Sequence, residues 1–195
     1  GLNDPIVSRG EATKKFLGEC DVVFLLSYTG QFLTQNDISF MRCTLPNEGI
    51  RNVVIVGSKF DSGVLDNNKV RDVWVACNES KAIYDKQARD NIQKCLSMDA
   101  GNEVLKRIQE SLPPSYISAL LFSCSNKKKE GIPYSKQEAN IITQFKKHFP
   151  EFEDDYKTLR ILSGIVQIDK RKLEPIREKK QELIDEKNAN ILQDN

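Results

Sequence analysis

Three short apolar runs dominate the hydrophobic pattern of the chain. They cover residues 21–27 (DVVFLLS), 52–58 (NVVIVGS) and 117–123 (ISALLFS), and each is nearly continuous and bounded by small polar residues. Runs of this length and kind are typical of strands that are covered on both faces, as in a parallel α/β sheet. We therefore predict three buried strands joined by right-handed crossovers.

The segments between and after these runs have helical patterns. Residues 34–41 predict one helix, and residues 61–114 predict a mostly helical insertion, because apolar residues recur there at steps of three or four. Beyond the third run, we predict a polar loop at 126–131 (NKKKEG) and a helix over 135–149. The pattern thus predicts an α/β fold whose parallel sheet has flanking helices and an inserted helical segment.

The last part of the chain has a different composition. From Tyr156 onward, long polar side chains surround a one-sided stripe of apolar residues, and Pro175 interrupts the stripe where a helix must either start or kink. Charged residues break any sustained heptad, so a coiled coil is not predicted. We predict an α/β domain over 1–150 and a C-terminal helical arm over 151–195.

Composition excludes some functions and leaves others open. The chain has 195 residues, with 29 Lys+Arg against 28 Asp+Glu. A net charge of +1 gives no long-range attraction for nucleic acid, so no nucleic-acid partner is predicted. One histidine, His148, and five cysteines without a C-x-x-C pair predict no metal cluster, and we expect reduced core thiols in a cytoplasmic chain, which is either free or peripheral at a membrane. The cysteines are residues 20, 43, 77, 95 and 124.

The most informative polar residues follow the second predicted strand, at Ser58-Lys59-Phe60-Asp61. Ligands of open parallel sheets bind beyond the carboxyl ends of the strands. A carboxylate accepts two hydrogen bonds from the N1–H and N2–H₂ donors of guanine, whereas adenine presents an acceptor at N1. Each such bond contributes about 1.5–3 kcal/mol. Asp61 is therefore a candidate for guanine selection, and the apolar stem of Lys59 for contact with the base plane; the alternative is a solvated turn.

Two further segments extend this pattern. Ser123-Cys124-Ser125 ends the third apolar run, where small residues would let backbone N–H groups approach a guanine carbonyl. Gly1 precedes a short loop and a predicted helix over 8–17, which leads into the first strand. These features follow one another in the order expected for the second half of a GTPase. The order is a glycine, a helix, a strand, Ser-Lys-x-Asp, helices, a strand and a small-residue loop.

The residues at the start of the chain carry a family resemblance. The chain begins with Gly1-Leu2-Asn3-Asp4-Pro5 and continues with Ser8-Arg9, Thr13, Phe16-Leu17 and the run at 21–27. These residues resemble the stretch after the Asp-x-Pro-Gly motif of dynamin-like GTPases, especially the bacterial dynamin-like proteins. The resemblance covers roughly residues 1–125 and, more loosely, the helical tail. It implies a partial P-loop GTPase-type sheet over 1–150 and the start of a helical neck or stalk over 151–195.

The resemblance also implies roles for particular residues. Gly1 would be the switch glycine whose N–H senses the γ-phosphate. Ser58, Lys59 and Asp61 would form the guanine motif, with Ser58 departing from the usual Thr or Asn. Ser123, Cys124 and Ser125 would form the base-contact loop. The family further implies self-assembly through the GTPase domain and stalk, and contact with membrane lipid through regions outside this chain.

The phosphate-binding motif G-x-x-x-x-G-K-[ST] is missing from the sequence. Phosphoryl transfer depends on positioning and charge stabilisation, so we expect GTP and Mg²⁺ to bind fully only with a missing N-terminal half, and the chain alone to be inactive as a GTPase. The abrupt start at Gly1 fits a cut through a larger domain. The alternative is a nonenzymatic α/β interaction module whose helical tail docks on a partner.

Overall fold

Helices pack against a small parallel sheet in the part of the chain that the computed structural model describes, residues 22–45, 53–67 and 69–181. The elements in chain order are β1 Val23–Tyr28, a 3-10 turn Thr29–Gln31, α1 Gln35–Ser39 with a π-helical turn Phe40–Thr44, β2 Val53–Ser58, α2 Phe60–Leu65, α3 Val73–Met98, α4 Glu103–Glu110, β3 Ser115–Tyr116, α5 Ala119–Glu130, α6 Lys136–His148, α7 Tyr156–Leu162, α8 Ile165–Ile168 and a π-helical turn Asp169–Leu173. Residues 174–181 are helical.

The sheet has the order β1-β2-β3, and both pairings are parallel. β1 and β2 pair along their whole length, whereas β3 pairs with β2 through only two residues. The predicted mixed α/β class with a parallel sheet is confirmed, and the first two apolar runs are strands as predicted. Because the strands are parallel, their carboxyl ends lie at the same edge of the sheet.

The two faces of the sheet differ in how they are covered. Val53 and Ile55 of β2 belong to the hydrophobic core, together with residues of α3 and α4 such as Ile92 and Leu105. β2 is buried on both faces as predicted, but β1 is not, since its Leu26 is 59% exposed. Side chains alternate along a strand, so Leu26 lies on the face opposite Leu25, which packs against the core.

The predicted helices are confirmed over most of the chain. The predicted insertion at 61–114 holds α2, α3 and α4, and the helix predicted over 135–149 is α6. The start of α6 follows from a capping box, in which the backbone N–H of Glu138 bonds the Ser135 side chain and the Glu138 carboxylate accepts from the backbone N–H of Ser135. Asp72 caps α3 in a similar way by accepting from two backbone N–H groups.

The predicted third strand over 117–123 is wrong. The strand is Ser115–Tyr116, and helix α5 begins at Ala119. The side chain of Ser118 caps this helix by accepting from the backbone N–H of Leu121 at 3.0 Å. The apolar run is rich in Ala and Leu, which favour helices, and its pattern alone does not distinguish a strand from a helix.

The predicted polar loop at 126–131 is also wrong. Its lysines form the last turn of α5, which ends at Gly131 in the left-handed conformation (φ 70°). Cations near a helix C-terminus interact favourably with the helix dipole, and glycine is the usual residue at such an end. The charge run is thus a helix end rather than a loop.

The C-terminal segment packs on the domain through α7. Leu159 and Leu162 of α7 are buried in the common core. Further along, Lys172 donates hydrogen bonds to the backbone carbonyls of Ser111 and Pro113, just before β3. The π-helical turn at Asp169–Leu173 stands shortly before Pro175, where an interruption is predicted because proline has no N–H for the helical ladder. The domain boundary at 150 stays a prediction.

The burial of the cysteines and the length of the helices test two further predictions, the reduced core thiols and the lack of a membrane-spanning helix. Cys77, Cys95 and Cys124 are buried and unpaired, as expected of core thiols, but Cys43 is exposed, contrary to that expectation. Among the helices within 22–45, 53–67 and 69–181, none combines the length and apolar character needed to cross a membrane.

Candidate functional site

The carboxyl ends of β2 and β3 are joined by backbone hydrogen bonds. The N–H of Ile117 donates to the carbonyl of Gly57 at 2.8 Å, and the N–H of Phe60 donates to the carbonyl of Ile117 at 2.9 Å. Ser58, Lys59 and Asp61 therefore stand beside the segment that leads from β3 into α5. Only glycine fits at position 57, because a Cβ there would lie 2.5 Å from the ring of Tyr116.

Lys59 has an unusual backbone conformation at this edge. Its φ and ψ are 52° and 42°, in the left-handed region that costs a non-glycine residue about 1–2 kcal/mol. Its carbonyl accepts from the Thr29 hydroxyl at 3.0 Å and from the N–H of Ser62 at 3.0 Å. The side chain is exposed, and its ammonium lies 5.2 Å from the ring centroid of Tyr28. An exposed apolar stem beside an aromatic ring is thus available at the strand end.

Ser58 has a partner inside the sheet. Its hydroxyl donates to the carbonyl of Ser27 at 3.3 Å and so links the ends of β1 and β2. Ser27 is itself bonded to the start of α1, because its hydroxyl donates to Asp37 at 2.9 Å and accepts from the backbone N–H of Leu33 at 2.7 Å. Ser58 therefore supports the site through the sheet rather than facing a ligand.

Asp61 is the second residue of α2 and is 7% exposed. No residue within the described ranges donates a hydrogen bond to its carboxylate. Within those ranges, every side-chain oxygen or nitrogen that is sealed from solvent has a hydrogen-bond partner, so the carboxylate still reaches solvent. A carboxylate that is largely buried and unpaired normally attracts a donor, because the lost hydration has to be replaced. Toward the residues that the structure describes, Asp61 presents two unused acceptors at the ends of the strands.

The N-terminus of α5 lies directly after β3. Ser118 is fully buried, its N–H donates to the carbonyl of Ser163 at 2.9 Å, and its carbonyl accepts from the N–H of Phe122. The first N–H groups of a helix have no partner within it, and in the described part of the chain those of Ala119 and Leu120 bond to no acceptor. They are donors at the same edge as Asp61. The apolar pattern did not indicate these residues; the signal was Ser118, a capping residue inside an apolar run.

The sequence predicts that Ser123, Cys124 and Ser125 lie in a loop after β3, and this placement is wrong. They lie in the second turn of α5. The hydroxyl of Ser123 donates to Glu138 at 2.6 Å, and that of Ser125 to the carbonyl of Phe122 at 2.8 Å. Cys124 is fully buried. Burial and the charges of Glu138, Asp154 and Asp61 raise the pKa of its thiol to about 11. Ser123 thus connects α5 to α6, whereas Ser125 bonds within α5 and Cys124 packs in the core.

Glu138 anchors α6 to α5 and makes folding sensitive to acid. It is 4% exposed and accepts from Lys127 at 2.6 Å, Ser123 at 2.6 Å and the N–H of Ser135 at 2.7 Å. These donors, Lys127 first, lower the pKa of the carboxyl to about 2 from 4.5. A depressed pKa stabilises the folded chain fully above pH 4.5, and this contribution is lost as the pH falls from 4.5 towards 2.

We expect Glu138→Gln to destabilise the chain at pH 7 by about 1.5–3 kcal/mol, because it removes charge-assisted hydrogen bonds. It should also flatten the loss of stability between pH 5 and pH 2. Urea unfolding at several pH values measures both effects, and Glu151→Gln, at an exposed site, is the matched control. Equal acid sensitivity of E138Q and the unmodified chain would contradict the role assigned to Glu138.

Gly1 and the helix predicted over 8–17 lie outside the described residues. Within those residues, no group of three or more His, Cys, Asp or Glu side chains is arranged to hold a metal ion. Comparison of the chain with family models, with curated proteins and with solved structures finds no match.

Proposed function

We propose that the edge formed by the ends of β2 and β3 binds a guanine base. The observation that carries this proposal is the carboxylate of Asp61, which is 7% exposed and has no donor among the described residues. Two acceptors on one carboxylate match the adjacent N1–H and N2–H₂ donors of guanine. Adenine would instead set its N1 acceptor against the carboxylate and lose both bonds.

Two neighbouring groups support the same ligand. Lys59 is exposed and stands two residues before Asp61 in the chain. Its apolar stem offers a surface for one face of a planar base. The N–H groups of Ala119 and Leu120, at the start of α5, are donors for the O6 carbonyl of guanine. We include Ser118-Ala119-Leu120 in the base site in place of Ser123, Cys124 and Ser125, which lie in the next turn of the helix.

The wider proposal is that the chain is the base-recognition half of a dynamin-like GTPase. It is supported by the parallel sheet, by the Ser-Lys-x-Asp at a strand end, and by the Asp61 carboxylate, which has no donor in the described part of the chain. GTP would then be the physiological nucleotide. Its phosphates and Mg²⁺ would be held by residues that this sequence does not include, because it has no G-x-x-x-x-G-K-[ST]. Self-assembly and membrane contact belong to the same proposal.

The test uses the 195-residue chain and three nucleotides that share ribose and phosphate, namely GMP, IMP and AMP. Two charge-assisted bonds together contribute about 3–6 kcal/mol, so we expect GMP to bind with a dissociation constant of about 1 mM. IMP keeps N1–H but lacks the amino group and should bind about tenfold more weakly. AMP should bind more weakly still. Amide chemical shifts of the isotope-labelled chain give all three constants.

The order of the three affinities decides between the two functional classes. A preference for GMP over IMP and AMP supports base recognition by Asp61. Equal binding of the three nucleotides, or none at millimolar concentration, would refute base recognition and favour the interaction module.

A further inference from the structure

We propose that Thr29 is a positioning residue for the base site, holding Lys59 in the conformation that places Asp61 at the strand ends. Thr29 lies in the 3-10 turn after β1 and is 3% exposed. Its hydroxyl donates to the carbonyl of Lys59 at 3.0 Å, across 30 residues of sequence. The inference rests on the proposed guanine site and adds a residue from a different strand end to it.

The hydrogen bond from Thr29 stabilises Lys59, whose backbone conformation is unfavourable for a residue other than glycine. Lys59 is left-handed, and this conformation persists in a non-glycine residue only when its surroundings hold it. On its C-terminal side the hydrogen bond from Phe60 to Ile117 holds the chain against the segment after β3. Among the side chains that the structure describes, the donor to the Lys59 carbonyl is the hydroxyl of Thr29. Without it, the Lys59 carbonyl keeps its backbone bond from Ser62 but loses its hydrogen bond from the turn after β1.

Thr29 lies in a closely packed part of the structure. Thr29 lies close to Gly63 of α2 and to the Tyr84 hydroxyl of α3. A Cβ on Gly63 of α2 would lie 2.8 Å from the Tyr84 hydroxyl and 3.3 Å from the Thr29 hydroxyl, so the three residues are in close contact. Thr29 is therefore packed where the end of β1 meets α2 and α3, and its bond to Lys59 can be tested separately from its contact with Tyr84.

The neighbouring Tyr28 positions the side chain of the same lysine. The Lys59 ammonium lies 5.2 Å from the Tyr28 ring centroid, while Thr29 holds the Lys59 backbone. Consecutive residues at the end of β1 therefore contact both ends of Lys59. Loss of the Thr29 bond should reduce the discrimination between bases more than it reduces the stability of the fold.

The experiment compares Thr29→Val, which has the same shape without the donor, with Thr29→Ser, which keeps the hydroxyl. We expect the ratio of AMP to GMP dissociation constants to fall about three- to tenfold in T29V and to stay within about twofold in T29S. The ratio does not depend on how much of the chain is folded. Exchange of the Ser62 amide hydrogen, which bonds the Lys59 carbonyl, should be faster in T29V without any nucleotide.

Two control variants separate the role of Thr29 from general destabilisation. Tyr84→Phe removes the neighbouring hydroxyl, keeps the bond from Thr29 to Lys59, and should leave the nucleotide ratio unchanged. Thr143→Val makes the same side-chain change at an exposed position, where the hydroxyl donates to the carbonyl of Ala139 on α6, and should also leave the ratio unchanged. If T29V does not fold, Thr29→Ala takes its place with the same expected ratio.

The outcomes distinguish this inference from the proposed function. A GMP preference in the unmodified chain that survives in T29V would overturn the role of Thr29 and leave base recognition standing. No GMP preference in the unmodified chain would overturn base recognition and this inference together. A preference lost in T29V and retained in T29S and Y84F supports both.

Discussion

Asp61→Asn is expected to change the nucleotide preference of the chain from guanine to xanthine. Asparagine presents one acceptor and one NH₂ donor where aspartate presents two acceptors. Guanine would set its N2 amino group against the new donor, whereas xanthine has a carbonyl at C2 that accepts from it. We expect GMP affinity to fall by about tenfold or more and XMP to become the tightest of the purine monophosphates, because each bond to the carboxylate contributes about 1.5–3 kcal/mol.

Asp66→Asn is the matched control for this substitution. Asp66 is the exposed C-terminal cap residue of the same helix, α2, so the change in charge is identical and the change at the strand ends is absent. The control should keep the preference for GMP. Affinities measured by amide shifts give the result, and circular dichroism checks that each variant is folded. A D61N variant that loses GMP without gaining XMP would mean that Asp61 acts on stability rather than on the base.

Gly164→Ala is expected to have the largest effect on stability. Gly164 has φ 69°, and a Cβ there would lie 2.0 Å from the carbonyl oxygen of Tyr116 in β3. The left-handed conformation alone costs alanine about 1 kcal/mol. The contact is with backbone, so β3 or the turn before α8 must also move, and the bond from Ser118 to Ser163 would be strained. We expect a loss of about 3 kcal/mol or more in the free energy of unfolding.

Gly131→Ala separates the cost of the left-handed backbone conformation from the cost of the steric contact with Tyr116. Gly131 ends α5 with φ 70°, nearly the same conformation, but a Cβ added there would have no atom within 4 Å, so the substitution meets open space. We expect it to cost only about 1 kcal/mol. Urea unfolding followed by circular dichroism measures both variants. Equal losses for the two glycines would show that the turn at Ser163 and Gly164 is not held against β3.

The parts of the fold that the sequence predicts well are those where several signals agree. β2 has a continuous apolar run bounded by polar residues, and its neighbours bury it on both faces. α6 begins with a capping box, Ser135 and Glu138, and has a clear apolar face. In both cases the local preference and the tertiary environment favour the same structure.

The third strand is predicted in the wrong place because local and tertiary signals differ there. Only Ser115 and Tyr116 pair with β2, and neither stands in the long apolar run that follows. That run forms the start of α5, since Ser118 caps it and its Ala and Leu residues favour a helix. The pairing of β3 depends on contacts with β2 and with the Ser163–Gly164 turn, which are distant in sequence and leave no periodic signal.

The candidate site is predictable in part. Lys59 and Asp61 can be selected because polar residues at the carboxyl end of a buried strand are well placed for a ligand. The sequence does not reveal the left-handed backbone of Lys59 or its bond to Thr29, because both result from packing across 30 residues. The error at Ser123, Cys124 and Ser125 follows from the misplaced strand, which moves the expected base contacts along the chain.

The most direct test of the central claim is a titration of the unmodified, isotope-labelled chain with GMP and with AMP, followed through the backbone amides. We predict that GMP shifts the amides of residues 59–62 and 118–121, at the ends of β2 and β3, and that AMP at the same concentration shifts them much less. GMP shifts confined to other surfaces, or equal shifts with AMP, would contradict guanine recognition at this edge of the sheet.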